Sequence, residues 1–320
     1  MAKFKVGIYS LLNDKDCRIE EDVFRGHDIE IVNGRYGHDE DFQDMITYVD
    51  GLIIANTMID GPVIEKMKNC RVVGRHGSGV DNFDLGKAAE KGIAICNVPM
   101  FCIDEVSDHA LTFALVLARN MHLYSLHVKS GAWDIDRLPP PKKVNTMTLG
   151  LAGFGTIARL VAKKGKAIFG EIVAYDPFMD GKKAEELGVR PVATLSELAA
   201  ASDVVSIHIP LSEKTFHLFD KDFFSRMKKT AFIVNTARGS LINSKDLHEA
   251  LVNGTIAGAA LDVMEQEPPD MNDPLFKLDN VFFTPHSAWF SDQALYQDRY
   301  VAAENVRRVL LGLEPLSRVN

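Results

Sequence analysis

Cysteine is scarce in this 320-residue chain: Cys17, Cys70, Cys96 and Cys102 are the four it has. So few and so scattered, they support neither a disulfide framework nor a zinc knot, and no metal site is expected. They are expected to be reduced, mostly buried thiols. Basic clusters are absent too. No run of Lys and Arg exceeds a pair, and 44 acidic residues against 36 basic ones leave a net charge of −8. Nucleic-acid binding rests on clustered cations that displace counterions, so none is expected. No apolar run is long and uncharged enough to span a bilayer, and the N-terminus enters a strand without a signal-peptide core. Neither membrane association nor export is therefore expected, which points to the cytoplasm. What remains is an ordinary globular composition, 46% hydrophobic and 25% charged. The length exceeds what one hydrophobic core usually serves, so two domains are expected.

Strand-like and helix-like segments alternate along the chain. In the first hundred residues the strands are predicted at 4–9, 29–32, 51–55, 71–74 and 93–97, with helices at 41–48, 63–68 and 85–91. A second run of six strands follows, at 147–152, 172–175, 204–209, 231–235, 257–261 and 281–284. Such alternation implies parallel sheets covered on both faces. Between the two runs, 104–119 is apolar nearly all round, which predicts a helix buried between domains or at a subunit interface. The segment 122–145, with Trp133 and three consecutive prolines, reads as an irregular arm. An amphipathic helix is predicted over 292–311.

The most informative local feature is the turn Gly153-Phe154-Gly155-Thr156-Ile157-Ala158. It follows a strand, opens a helix predicted over 157–169, and is followed by a second strand ending on Asp176. Strand, G-x-G-x-x-A turn, helix and an acid about 20 residues on form the dinucleotide-binding arrangement. Gly153 permits the tight turn, Gly155 lets backbone approach a pyrophosphate, and Ala158 is small enough for helix to pack on strand. The helix N-terminus would carry the pyrophosphate. Asp176 would bind the adenosine ribose hydroxyls and repel a 2′-phosphate, favouring NAD over NADP.

Three charged residues lie just beyond predicted strand ends in the second run: Arg238, Glu267 and His286. Singly, each reads as a surface ion pair, a solvated acid or a loop histidine. Together, on one sheet edge beside a nucleotide turn, they suit reduction of a 2-keto acid. A histidine supplies the proton near neutral pH, and a carboxylate behind it orients the ring and stabilises the imidazolium. A guanidinium grips the substrate carboxylate and polarises the carbonyl, while a nicotinamide gives the hydride.

With these residues in place, the chain resembles the NAD-dependent D-2-hydroxyacid dehydrogenases. The resemblance rests on Gly74-Arg75-His76-Gly77-Ser78-Gly79-Val80-Asp81-Asn82, Asn97-Val98-Pro99, the Gly153–Asp176 fingerprint, and His208-Ile209-Pro210-Leu211. It rests further on Asn235-Thr236-Ala237-Arg238-Gly239, the stretch from Asp262 to Glu267, and Thr284-Pro285-His286. The resemblance implies that Arg238 binds substrate, that Glu267 pairs with His286, and that His286 is the acid/base. It also implies that the amides of Gly77-Ser78-Gly79, beside His76, hold the substrate carboxylate. Asp262 would face the nicotinamide carboxamide, and Phe154, Thr156, Ile157, His208, Pro210, Thr236 and Ala237 would line the cofactor. The fold implied is α/β with two doubly wound parallel-sheet domains, a Rossmann cofactor domain (102–289) inserted in a flavodoxin-like substrate domain (1–101 with 290–320). A cleft closing by hinge motion and a homodimer through the cofactor domain are implied as well.

Departures bear on the substrate. Phosphoglycerate dehydrogenases usually carry an Arg-Ser pair after the third strand, where this chain reads Ile54-Ala55-Asn56-Thr57-Met58-Ile59-Asp60. No regulatory domain is expected after the last helix. Formate dehydrogenases place Gln where Glu267 stands. The run from Pro285 to Ser291 resembles the branch that includes the C-terminal-binding-protein corepressors, which keeps an NAD(H)-sensing interaction protein as the alternative to an enzyme. Met58, Met100, Phe101 and Trp289 are read either as an apolar pocket for a bulkier side chain or as core. His109, inside the apolar helix, is expected to be a satisfied core or interface histidine.

Overall fold

A computed structural model describes residues 3–13 and 16–320. The chain divides into two compact units, one formed by the chain up to Phe101 together with Ser291–Asn320, the other by Cys102–Phe290.

The first unit runs β1 (Phe4–Tyr9), α1 (Arg18–Phe24), β2 (Ile29–Asn33), α2 (Asp39–Met45), β3 (Gly51–Ile54), α3 (Gly61–Lys66), β4 (Val72–Arg75), α4 (Leu85–Glu90) and β5 (Ala94–Cys96). Its five strands are all parallel, in the order β2-β1-β3-β4-β5, the flavodoxin-like arrangement. β3 and β5 are buried at every residue, as strands covered on both faces must be.

The second unit runs α5 (Ile103–Ala118), α6 (Met121–Lys129), β6 (Thr148–Ala152), α7 (Thr156–Gly165), β7 (Glu171–Tyr175), α8 (Gly181–Leu187), β8 (Arg190–Pro191), α9 (Leu195–Ala201), β9 (Val204–Ile207), α10 (Lys221–Arg226), β10 (Phe232–Asn235), α11 (Ser244–Val252), β11 (Gly258–Leu261) and β12 (Val281–Phe283). These seven strands are also all parallel, in the order β12-β11-β10-β9-β6-β7-β8. Counted from β6, that is the doubly wound order 3-2-1-4-5-6 with one strand added, and its topological switch lies between β6 and β9. The long helix α12 (Asp292–Leu310) then belongs to the first unit, where it packs along β3, β4 and β5.

Short polar side chains start most helices. Asp60, Asp84, Asp180, Thr194, Asp220, Asn243 and Ser291 each accept a hydrogen bond from an amide in the first turn they precede. Helix α7 has no such cap: its N-cap is Gly155.

Several expectations are corrected. The arm at 122–145 contains the helix α6, set off from α5 by Asn120 in the left-handed region (φ 52°). Helix α1 and the two-residue edge strand β8 stand where no element was predicted. Helix α7 ends at Gly165 and not at Phe169. The apolar helix α5 finds cover inside its own unit, against α7 and strands β9 to β11, while its exposed Asp104 and Asp108 bind Lys164 Nζ at 3.1 and 2.6 Å. Cys17, Cys70 and Cys96 are buried thiols and Cys102 is half-buried, all unbridged. Among the described residues no helix is long and apolar enough to cross a membrane, and no cluster of three or more His, Cys, Asp or Glu could hold a metal ion.

Candidate active site

In the second unit the chemistry-bearing residues leave the carboxyl ends of the parallel strands, where open α/β sheets bind ligands. At the switch point, Gly153 adopts φ +96°, and a Cβ there would meet the His208 carbonyl oxygen at 2.6 Å. Only glycine fits. A Cβ on Gly155 would point into open space, so that turn is accessible over the uncapped start of α7. The amides of Thr156 and Ile157, in that first turn, have no earlier carbonyl to bind within the helix. The Phe154 side chain is buried in a hydrophobic cluster of this unit, so only its backbone is available at the turn.

Asp176 closes β7. Its Oδ2 accepts the Phe154 amide at 2.8 Å and its Oδ1 the Phe178 amide at 2.7 Å. A carboxylate has about four acceptor sites, so two remain for further donors. His208 is held by Ser206 Oγ at 2.9 Å, and burial pushes its pKa down to about 4, which keeps the ring neutral at pH 7. Pro210 is exposed, its carbonyl accepting the Thr215 hydroxyl at 2.8 Å.

The β10 end is shaped by Asn235, wholly buried, whose side chain bridges the next turn. Its Oδ1 accepts the Ala237 amide at 3.0 Å and its Nδ2 donates to the Arg238 carbonyl at 2.8 Å. Arg238 Nη1 donates to the Ala237 carbonyl at 2.8 Å. Gly239 then presses on the neighbouring loop: a Cβ there would lie 2.0 Å from the Met264 carbonyl carbon. Met264 in turn donates its amide to Glu267 Oε1 at 3.0 Å. This close approach gathers the loops after β10 and β11.

Glu267 Oε2 meets His286 Nδ1 at 2.5 Å. Burial raises the Glu267 pKa, but the hydrogen bond and charge of His286, the Met264 amide and the nearby Arg238 outweigh it, so the carboxyl sits below its ordinary range. His286 itself is left-handed (φ 52°), with its amide on the Asp262 carbonyl at 2.7 Å. With Nδ1 on Glu267, Nε2 is the nitrogen left to exchange a proton. Arg238, Glu267 and His286 are thus brought together.

Asp262 is buried immediately beyond β11. Its Oδ1 accepts the Thr284 hydroxyl and the Ser287 amide (2.8 Å), and its Oδ2 accepts the Ala288 amide at 3.0 Å. Three of four acceptor sites are filled, which leaves one on Oδ2. The hydroxyl of Thr236 is buried without a hydrogen-bond partner. The open cradle at Gly155, the spare acceptors on Asp176 and Asp262, and the orphaned Thr236 hydroxyl fit a dinucleotide carrying a pyrophosphate, ribose hydroxyls and a carboxamide. Trp289 is half-buried, edge-to-face with Phe290 at 5.3 Å.

In the other unit, His76-Gly77-Ser78-Gly79 follows β4. Gly77 adopts φ +99°, and its amide donates to the carboxylate of Asp298 at 2.6 Å. That donor is therefore already used, and an anion at this turn would be met by Ser78 and Gly79. Burial raises the Asp298 pKa to about 7. His76 is buried, its Nδ1 3.1 Å from Ser10 Oγ, and burial lowers its pKa to about 3. Of the candidate pocket residues in this unit, Phe101 is buried whereas Met58 and Met100 are largely exposed.

Sequence reasoning gave no role to Gly239, to Asp298 or to the contact between His109 and Thr284. Gly239 stood inside a recognised motif and could have been singled out; the other two join residues too distant in sequence for spacing to reveal.

Comparison with known proteins places residues 111–288, over half of the chain, on the family described as D-isomer specific 2-hydroxyacid dehydrogenase, NAD binding domain. A D-3-phosphoglycerate dehydrogenase of Methanocaldococcus jannaschii is 37% identical over 96% of this chain and 58% of its own length. Another from Archaeoglobus fulgidus is 35% identical over 92% of this chain and 55% of its own. The chain thus spans little more than half the length of these curated relatives. The apo-structure of D-lactate dehydrogenase from Escherichia coli superposes with a TM-score of 0.85 at 28% identity, covering 99% of this chain and 100% of that one.

Proposed function

Because the chain belongs to the D-isomer specific 2-hydroxyacid dehydrogenase family, whose matched domain binds NAD, we propose that it reduces a small 2-keto acid to the D-2-hydroxy acid, and catalyses the reverse. The observation that carries this reading is the 2.5 Å pair of Glu267 and His286 beside Arg238. The nicotinamide, when bound, supplies the hydride. His286 Nε2 delivers a proton to the carbonyl oxygen as it gains charge, and Glu267 holds the ring and stabilises its cationic form. Arg238 binds the substrate carboxylate and polarises the carbonyl. The first turn of α7 holds the pyrophosphate, Asp176 the ribose hydroxyls, and Asp262 Oδ2 the carboxamide.

The stretch after β3 offers no cation to a substrate phosphate, which favours an unphosphorylated acid. NADH consumption against glyoxylate, hydroxypyruvate, pyruvate, branched and aromatic 2-keto acids, with phosphohydroxypyruvate and NADPH as controls, tests this. Turnover of an unphosphorylated acid with NADH, abolished in His286→Ala while NADH still binds, is the expected result. Turnover confined to the phosphorylated acid overturns the substrate class, and tight NADH binding with no turnover overturns the enzyme.

A homodimer through the second unit accompanies this reading. Its support is a run of exposed apolar side chains on and after α6, at Met121, Leu126, Val128, Trp133 and Ile135. A monomeric mass by light scattering would rule it out.

A further inference from the structure

His109 lies on α5 and Asp262 beyond β11, yet the two are joined through one hydroxyl. Thr284 Oγ1 stands 3.0 Å from His109 Nε2 and in short contact with Asp262 Oδ1, and Nε2 is 3.8 Å from that same oxygen. The direction of the chain follows from proton counting. A carboxylate only accepts, and a threonine hydroxyl has one proton to give. Thr284 must therefore donate to Asp262 and accept from His109, which fixes His109 with its proton on Nε2. The ring is held edge-on against Phe113 at 4.4 Å, so its direction is set by packing as well.

We propose that His109 is a positioning residue of the site, acting through Thr284 to orient Asp262 so that Oδ2 alone remains for the cofactor and the loop carrying His286 is fixed. Both effects follow from where Asp262 is tied. Its Oδ1 is saturated by the Thr284 hydroxyl and the Ser287 amide, and the remaining site on Oδ2 lies beside the Ala288 amide. The same residue's carbonyl takes the His286 amide, so the carboxylate and its own backbone clamp both sides of the acid/base. Without the Thr284 hydroxyl, Oδ1 has an open acceptor site and the carboxylate can turn. Without His109, Thr284 can rotate its proton elsewhere. This inference rests on the dehydrogenase reading for its consequence but not for its geometry.

The test uses the whole chain with His109→Phe, His109→Gln, Thr284→Val and Thr284→Ser. Valine matches threonine in shape and lacks only the hydroxyl, so Thr284→Val keeps the test intact if His109→Phe fails to fold. Thr284→Val should weaken NADH binding about tenfold in a fluorescence titration, the loss expected when a misaimed Asp262 carboxylate forfeits one hydrogen bond to the cofactor. It should lower kcat more than it raises KM for the keto acid. Thr284→Ser and His109→Gln, which restore the hydroxyl and an N–H donor, should return both within about twofold. The double variant His109→Phe/Thr284→Val should be no worse than Thr284→Val, because both break one chain. Nitrogen NMR of the free protein should show His109 as the Nε2–H tautomer in the wild type. An Nδ1–H tautomer in the wild type, or a Thr284→Val protein with unchanged NADH affinity, overturns the proposal. The tautomer and NADH affinity are read without any keto acid, so failure of the dehydrogenase reading shows separately, as absence of turnover in the wild type.

Discussion

Replacing Glu267 by Gln isolates the carboxylate charge while keeping the side-chain volume and a hydrogen-bonding oxygen. In the wild type Oε2 lies 2.5 Å from His286 Nδ1, and Oε1 is held by the Met264 amide. A hydrogen bond to a charged partner contributes about 1.5–3 kcal/mol. The side chains are 38% and 32% exposed, so solvent screens part of this and about 2 kcal/mol is a reasonable share. A loss of about 2 kcal/mol of support for the cationic ring corresponds to about 30-fold in rate. Glu267→Gln should therefore lower kcat/KM for keto-acid reduction by up to about 30-fold, with NADH and NAD affinity unchanged. Because the overall equilibrium is the same for any variant, oxidation of the hydroxy acid should fall by the same factor. The assay is kcat/KM in both directions at one pH, at saturating NADH or NAD. A rate within about twofold of the wild type would mean that Glu267 holds the loop but does not stabilise the cation, and the charge argument would be wrong.

Gly239→Ala should destabilise by about 3 kcal/mol or more, because the added methyl would meet the Met264 carbonyl carbon at 2.0 Å; an unchanged Tm would refute the close approach. Asp176→Asn should raise NADPH affinity relative to NADH by about tenfold, since the charge that opposes a 2′-phosphate is gone while an oxygen remains for the Phe154 amide; an unaltered ratio of the two Kd values would remove Asp176 from cofactor choice. Acidification should affect the two units differently. His208, whose pKa falls from 6.5 to about 4 on burial, withdraws about 2 kcal/mol from the second unit at pH 5, because the unfolded chain takes up the proton first. In the first unit, His76 withdraws a similar amount, but Asp298, raised to about 7, takes up its proton in the folded state and returns about as much. Amide exchange at pH 7 and 5, corrected for intrinsic rates, should show protection lost in the second unit and held in the first; equal loss in both would contradict the assignment.

What the sequence disclosed and what it concealed separate along a physical line. A parallel strand buried on both faces writes itself as a continuous apolar run, so β3, β6 and β9 were legible within a residue or two. The glycine turn was legible for the same reason, since a φ of +96° against the His208 carbonyl admits one residue type. Helix α1 was not, because its buried face carries Glu20, an acid where an apolar residue would signal the period. That carboxylate is held by Arg299 Nε at 2.9 Å from 279 positions away. No local pattern predicts a charge whose partner arrives on the last helix. Helix α6 was hidden differently: it is short, its N-cap Asn120 makes no side-chain cap bond, and the prolines beyond it suggest irregular chain. The site repeats the division. Arg238, Glu267 and His286 could be picked out because each follows a strand and carries a charge. The relation of His109 to Asp262 could not, because it exists only once α5 packs beside β11 and Thr284 stands between them. Residues that touch a ligand are written in types and spacings; residues that aim those residues are written in the tertiary structure. The parts of this site that sequence could not show are therefore the ones most worth mutating.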